Sequence, residues 1–69
     1  MNITLNGELK VVPKNCTAQQ LIESLQLQNT RLALEVNLAI IPRSTFKQHI
    51  LHPEDKVEIV RAIGGGRAI

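Results

Sequence analysis

Only one stretch of this chain has helical periodicity, and it lies between segments that read as strands. Ala18, Leu21, Ile22 and Leu25 fall at i, i+3, i+4 and i+7 on one face, while Gln19, Gln20, Glu23 and Ser24 take the other. A helix this short cannot bury its apolar stripe against itself; it needs a sheet to lie on. With strands before and after it, the chain is expected to form a two-layer α+β domain with a mixed sheet and one main helix. Thr17 stands three residues ahead of Gln20, the spacing of a capping box, so the helix is placed from Thr17 to an end between Gln26 and Gln28.

The strands are read from alternation and turn residues. Ile3 and Leu5 alternate with Asn2 and Thr4, then Asn6-Gly7 intervenes, and Leu9, Val11 and Val12 run on to Pro13. Asn-Gly suits a type I′ hairpin, whose two central residues both need positive φ. Leu32, Leu34 and Val36 alternate with Ala33, Glu35 and Asn37, and Leu38 to Ile41 forms a further short strand closed by Pro42. Phe46 and Ile50 are placed on a single helical turn covering a sheet edge. His52-Pro53-Glu54-Asp55-Lys56 is turn chemistry, a proline-led type I turn with Glu54 and Asp55 solvated. The last strand, Val57 to Ile63, runs directly into Gly64-Gly65-Gly66. Residues 1–63 are thus expected to be one domain and residues 64–69 a flexible glycine-rich tail.

Composition narrows the function classes. A chain of 69 residues builds one small core, and its 43% apolar content is nearly all aliphatic, with Phe46 the sole aromatic. Base stacking on aromatic platforms has little to work with. The formal charge is only +2, and the eight basic residues are scattered among six acids, so nucleic acid is not an expected partner. Cys16 is the only cysteine, which excludes an intramolecular disulfide and suits a reducing, cytoplasmic setting. No signal-peptide pattern and no apolar run near the roughly 20 residues of a membrane span is visible, so no membrane association is expected.

The glycine run is the chief candidate for function. Glycine enters gaps too narrow for a Cβ, so the run Gly64-Gly65-Gly66 suits a tail that must enter another protein's active site, beside the plainer reading of a frayed C-terminus. Cys16, just ahead of a capped helix, reads as a small structural side chain rather than a persulfide relay. His49 and His52 have no third ligand except Glu54 or Asp55, so they read as surface residues and no metal site is expected. Arg43 is read as solvated. Arg61, Val60 and Ile63 are placed close enough to the tail to touch a partner, and Ile40 is a further candidate on an exposed sheet face.

The hairpin, single helix and glycine-terminated strand together resemble the ubiquitin-like β-grasp fold. Leu5-Asn6-Gly7, Thr17 with Leu21, Ile22 and Leu25, Glu35-Val36-Asn37, Ile41-Pro42-Arg43 and Val57-Glu58-Ile59-Val60 leading to Gly64-Gly65-Gly66 resemble, in this order, the ThiS sulfur carriers of thiamine biosynthesis. Pro53-Glu54-Asp55 departs from that pattern, in which an acidic residue, glycine and aspartate are usual. The resemblance implies a carrier rather than an enzyme. It binds no cofactor, and an E1-like adenylating enzyme uses MgATP to activate the carboxylate of Gly66. Sulfur from a cysteine desulfurase persulfide or another donor then yields a thiocarboxylate, which serves thiazole synthase. Arg67-Ala68-Ile69 holds Gly66 in a peptide bond, so charging implies a maturation protease; that the three residues are not native, or that this copy is no carrier, are the other readings. A carrier resembling the molybdopterin-synthase small subunit and a non-carrier protein-binding module remain as alternatives. A monomer forming transient complexes is expected, because the tail must leave one site and enter another.

Overall fold

The structure is a computed structural model that describes residues 1–61. Its elements are β1 (Asn2–Leu5), β2 (Glu8–Val11), α1 (Ala18–Ser24), β3 (Leu32–Val36), β4 (Ala39–Ile41), a 3-10 turn (Arg43–Thr45) and β5 (Lys56–Arg61). The strands form one five-stranded sheet in the order β2-β1-β5-β3-β4. β1 and β5 run parallel, and the other neighbours are antiparallel, so the sheet is mixed as expected. The β1–β2 connection is the expected tight hairpin, with φ of 49° at Asn6 and 84° at Gly7.

α1 starts where the capping box puts it. The Gln20 N–H donates to Thr17 Oγ1 at 3.1 Å, and the Thr17 N–H donates to Gln20 Oε1 at 3.0 Å. The other orphan donors of the first turn are met by the segment that follows the 3-10 turn: Ala18 N–H reaches the His49 carbonyl and Gln19 N–H the Phe46 carbonyl. At the other end the helix is shorter than expected, stopping at Ser24 with Leu25 as its cap. Gln26 has a φ of 60°, its N–H donates to the Glu23 carbonyl, and Leu27 N–H donates to the Ile22 carbonyl. This is a Schellman ending, with glutamine where glycine is usual. The residues from Gln26 to Gln28 therefore belong to the loop.

Ile3, Leu21, Ile22, Leu34, Phe46, Leu51 and Val57 are the large, fully buried side chains between helix and sheet. Each contributes about 1.5–3 kcal/mol relative to exposure. The single helical turn expected to carry Phe46 and Ile50 ends at Thr45: Phe46 sits just after it and is buried in this core, whereas Ile50 remains 45% exposed and contributes a backbone bridge to Thr17. Leu38 lies in the β3–β4 turn with a φ of 73°, rather than in the strand.

The turn before β5 also differs from expectation. Glu54 has a φ of 70°, the signature of the third residue of a type II turn rather than type I. Asp55 is not solvated: it is buried, with Oδ1 accepting from Asn37 Nδ2 at 3.0 Å and Oδ2 from the His52 N–H at 2.8 Å. Asn37 Oδ1 in turn accepts the Lys56 N–H at 2.9 Å. The two side chains fasten the β3–β4 turn to the start of β5. The end assigned to the last strand, Ala62 and Ile63, and the tail lie outside the described residues.

Candidate functional site

The sequence points to the arm that β5 feeds. β5 is the central strand, so its path is set by neighbours on both edges. On the β3 side, pairing runs from Val36 opposite Val57 to Leu32 opposite Arg61. On the β1 side it covers only Thr4 with Lys56 and Leu5 with Val57, because the chain turns away at Asn6. The Asn6 N–H still reaches the Val57 carbonyl at 2.9 Å. Beyond that the Asn6 side chain takes over: Oδ1 accepts the Ile59 N–H at 2.8 Å, and Nδ2 donates to the Ile59 carbonyl at 3.4 Å. The sequence marked Asn6 for the turn alone; its second role depends on strand order, which the Asn-Gly signal does not carry.

Alternation along β5 turns Val57 and Ile59 toward the helix and leaves Lys56, Glu58 and Val60 on the open face. Ala33 lies opposite Val60, and Glu35 lies between Ile40 and Glu58. Val60 is 59% and Ile40 70% exposed. The structure thus places both proposed contact residues on the uncovered face, around a pair of like-charged glutamates. Arg61 ends the described part of β5 and is exposed. Its neighbour across the ladder, Leu32, borders a cleft of about 410 Å³ shared with Gln28, Thr30, Arg31 and Arg43. Ile63, Gly64, Gly65 and Gly66 lie outside the described residues.

Arg43 is exposed but not simply solvated. Its Nη2 donates to the Thr30 carbonyl at 2.7 Å, its Nη1 reaches the Gln28 carbonyl at 3.5 Å, and its guanidinium lies 5.6 Å from the Phe46 ring centroid. It pins the loop after α1 to the 3-10 turn. Cys16 is buried, its Sγ donates to the Thr17 carbonyl at 3.4 Å, and burial pushes its thiol pKa up. A thiol held protonated is a poor nucleophile, which agrees with a structural role. Among the described residues, no three His, Cys, Asp or Glu side chains are grouped to hold a metal. No helix there is long and apolar enough to cross a membrane.

A mixed five-stranded sheet crossed by one helix, with a central last strand, defines a ubiquitin-like β-grasp domain. Comparison with known proteins narrows this class. The model of the ThiS family matches residues 3–66. The sulfur carrier protein ThiS of Escherichia coli (strain K12) is 30% identical over 66 residues, which cover 96% of this chain and 100% of that one. A crystal structure of the thiamine biosynthesis protein ThiS from Geobacter metallireducens superposes with a TM-score of 0.82 at 26% identity, covering 96% of this chain and all of that one. The chain belongs to the ThiS family. It is also 36% identical over 66 residues to a thiazole synthase of Paramagnetospirillum magneticum. It spans only about a fifth of the length of the thiazole synthases it matches.

Proposed function

We propose that this protein is a sulfur carrier of thiamine biosynthesis that works through the carboxylate of Gly66. The observation that carries the reading is the family match, which runs through the domain and the glycines to residue 66. Gly66 is in peptide linkage to Arg67, so hydrolysis of that bond by a protease comes first. A carboxylate is a poor electrophile until an oxygen becomes a good leaving group. An E1-like enzyme supplies this by transferring AMP from MgATP and releasing pyrophosphate. The outer sulfur of a cysteine desulfurase persulfide displaces AMP to give an acyl disulfide. A thiol reductant then cleaves its S–S bond, leaving as a disulfide with the donor's sulfur, and the thiocarboxylate so released is handed to thiazole synthase. A glycyl carbonyl has no side chain to hinder that attack, and docking of the rigid domain supplies proximity. Catalytic groups belong to the partners, and this chain contributes recognition and reach.

Relatives that carry a segment like this chain within a thiazole synthase support that enzyme as the acceptor, and favour thiazole formation over molybdopterin synthesis. Val60, Arg61 and Ile63 are proposed as contacts to the partners, and the carrier as a cytoplasmic monomer that exchanges between them. The test is the intact mass of the protein purified from its own cells without reductant. A chain ending at Gly66, with a fraction heavier by one oxygen-to-sulfur exchange, is expected. Full retention of Arg67-Ala68-Ile69 in actively thiamine-producing cells would refute the reading.

A further inference from the structure

Beyond Val57, the two edges of β5 are held in different ways. The β3 edge keeps its backbone partners as far as Arg61, four residues further on. The β1 edge has lost its strand, and there Ile59 is held by the Asn6 side chain. In a parallel ladder the next acceptor for the Ile59 N–H would be the Asn6 main-chain carbonyl. The turn carries that carbonyl away, and the side-chain amide replaces it with one acceptor at 2.8 Å and one donor at 3.4 Å. A primary amide presents the same donor and acceptor as a peptide group, so the substitution continues the ladder in kind. A strand fastened on one edge only can swing about that edge. Fastened on both, it has a single direction.

We propose that Asn6 is a positioning residue for the C-terminal arm: its side chain closes on both polar groups of Ile59 and thereby sets the direction in which β5 leaves the sheet. The structural part stands on the hydrogen bonds alone; its consequence for charging rests on the carrier reading above. Asn6 has a positive φ of 49°, so an alanine variant would confuse loss of the turn with loss of the clip. Two other variants separate them. Asn6→Gly keeps the turn and removes both bonds, whereas Asn6→Asp tolerates the turn and keeps the acceptor.

The experiment is amide hydrogen exchange and 15N relaxation on the full chain. In Asn6→Gly, protection of the Ile59 N–H should fall by about 3- to 10-fold, the weight of one ordinary hydrogen bond. Fast backbone motion at Val60 and Arg61 should rise, while the β1–β2 ladder keeps its protection. Asn6→Asp should retain most of the Ile59 protection. In the form ending at Gly66, presented to the organism's own adenylating enzyme, Asn6→Gly should lower kcat for acyl-adenylate formation at unchanged KM, because the docking face is intact.

Unchanged Ile59 exchange in Asn6→Gly would overturn the proposal, as would equal loss throughout the hairpin, which would reduce Asn6 to a turn residue. A raised KM with kcat intact would move Asn6 to the docking surface and also overturn it. Failure of the unsubstituted carrier to be adenylated would count against the carrier reading alone, since exchange and relaxation decide the clip independently.

Discussion

Asn6, Asn37 and Asp55 each lend side-chain atoms to backbone groups that the strands leave without partners, and none was marked for this by the sequence. Asp55 and Glu54 are adjacent acids in one turn, yet one is buried with both oxygens hydrogen-bonded and the other sits exposed at a φ of 70°. What separates them is that the β3–β4 turn brings Asn37 against Asp55, a fact of sheet order rather than of local sequence. Cys16 was legible, because a small apolar side chain ahead of a capped helix has few places to go but inward. Its burial makes a pH prediction. The folded protein raises the thiol pKa above the ordinary 9.0, so near that pH the unfolded chain releases a proton that the folded chain still holds. Stability from this group is therefore full below pH 9 and is lost as pH rises through the folded value. Urea unfolding of wild type and Cys16→Ala as a function of pH checks this: the stability difference between them should be flat from pH 6 to 8, then shift in favour of the variant above about pH 9.

Among the elements, those with strong local chemistry were readable at their starts and less so at their ends. The hairpin was specified by Asn6-Gly7 and the helix start by Thr17 and Gln20, since both signals act within a few residues. The helix end was misplaced because Gln26, a good helix former, adopts the left-handed conformation that closes the Schellman motif. Leu38 likewise reads as strand by composition but turns with Asn37. The N-terminal cap permits a graded prediction. Thr17→Ala removes the acceptor for Gln20 N–H, but Ala18 and Gln19 keep the carbonyls of His49 and Phe46. The helix should therefore stay docked at a cost of about 1 kcal/mol, read as a lower urea midpoint with an unchanged m-value. A fall in m would mean that the helix N-terminus has come away and that the tertiary carbonyls do not hold it.

Over the whole molecule, the decisive feature is that β5 pairs with β1, which puts β5 at the centre of the sheet. No local pattern encodes a pairing between residues 4 and 56; the single helix restricted the architecture and the ThiS resemblance implied a mixed sheet, but the strand order came only with the structure. That order also separates two apolar patches. Leu9 and Val11 lie on β2 at one edge, and Leu9 shares a row with Thr4 and Lys56 at the start of β5. Val60 lies near the end of β5, beside Ala33 and one residue before the last described position. On the proposed carrier reading, the partner that takes up Gly66 is expected to cover the second patch and leave the first in water. Val60 is 59% and Leu9 72% exposed, so a lysine at either position should change stability by no more than about 0.5 kcal/mol. Their effects on charging should diverge. Val60→Lys puts a cation into a surface that must be desolvated and should raise KM for the adenylating enzyme by about tenfold, the scale of one significant interface residue. Leu9→Lys should leave KM within about twofold of wild type, a difference worth less than 0.5 kcal/mol. The two variants, assayed side by side with urea midpoints as the control, test whether docking uses the arm-side half of the sheet. Equal KM values for both would place the contact elsewhere and detach the open face from carrier function.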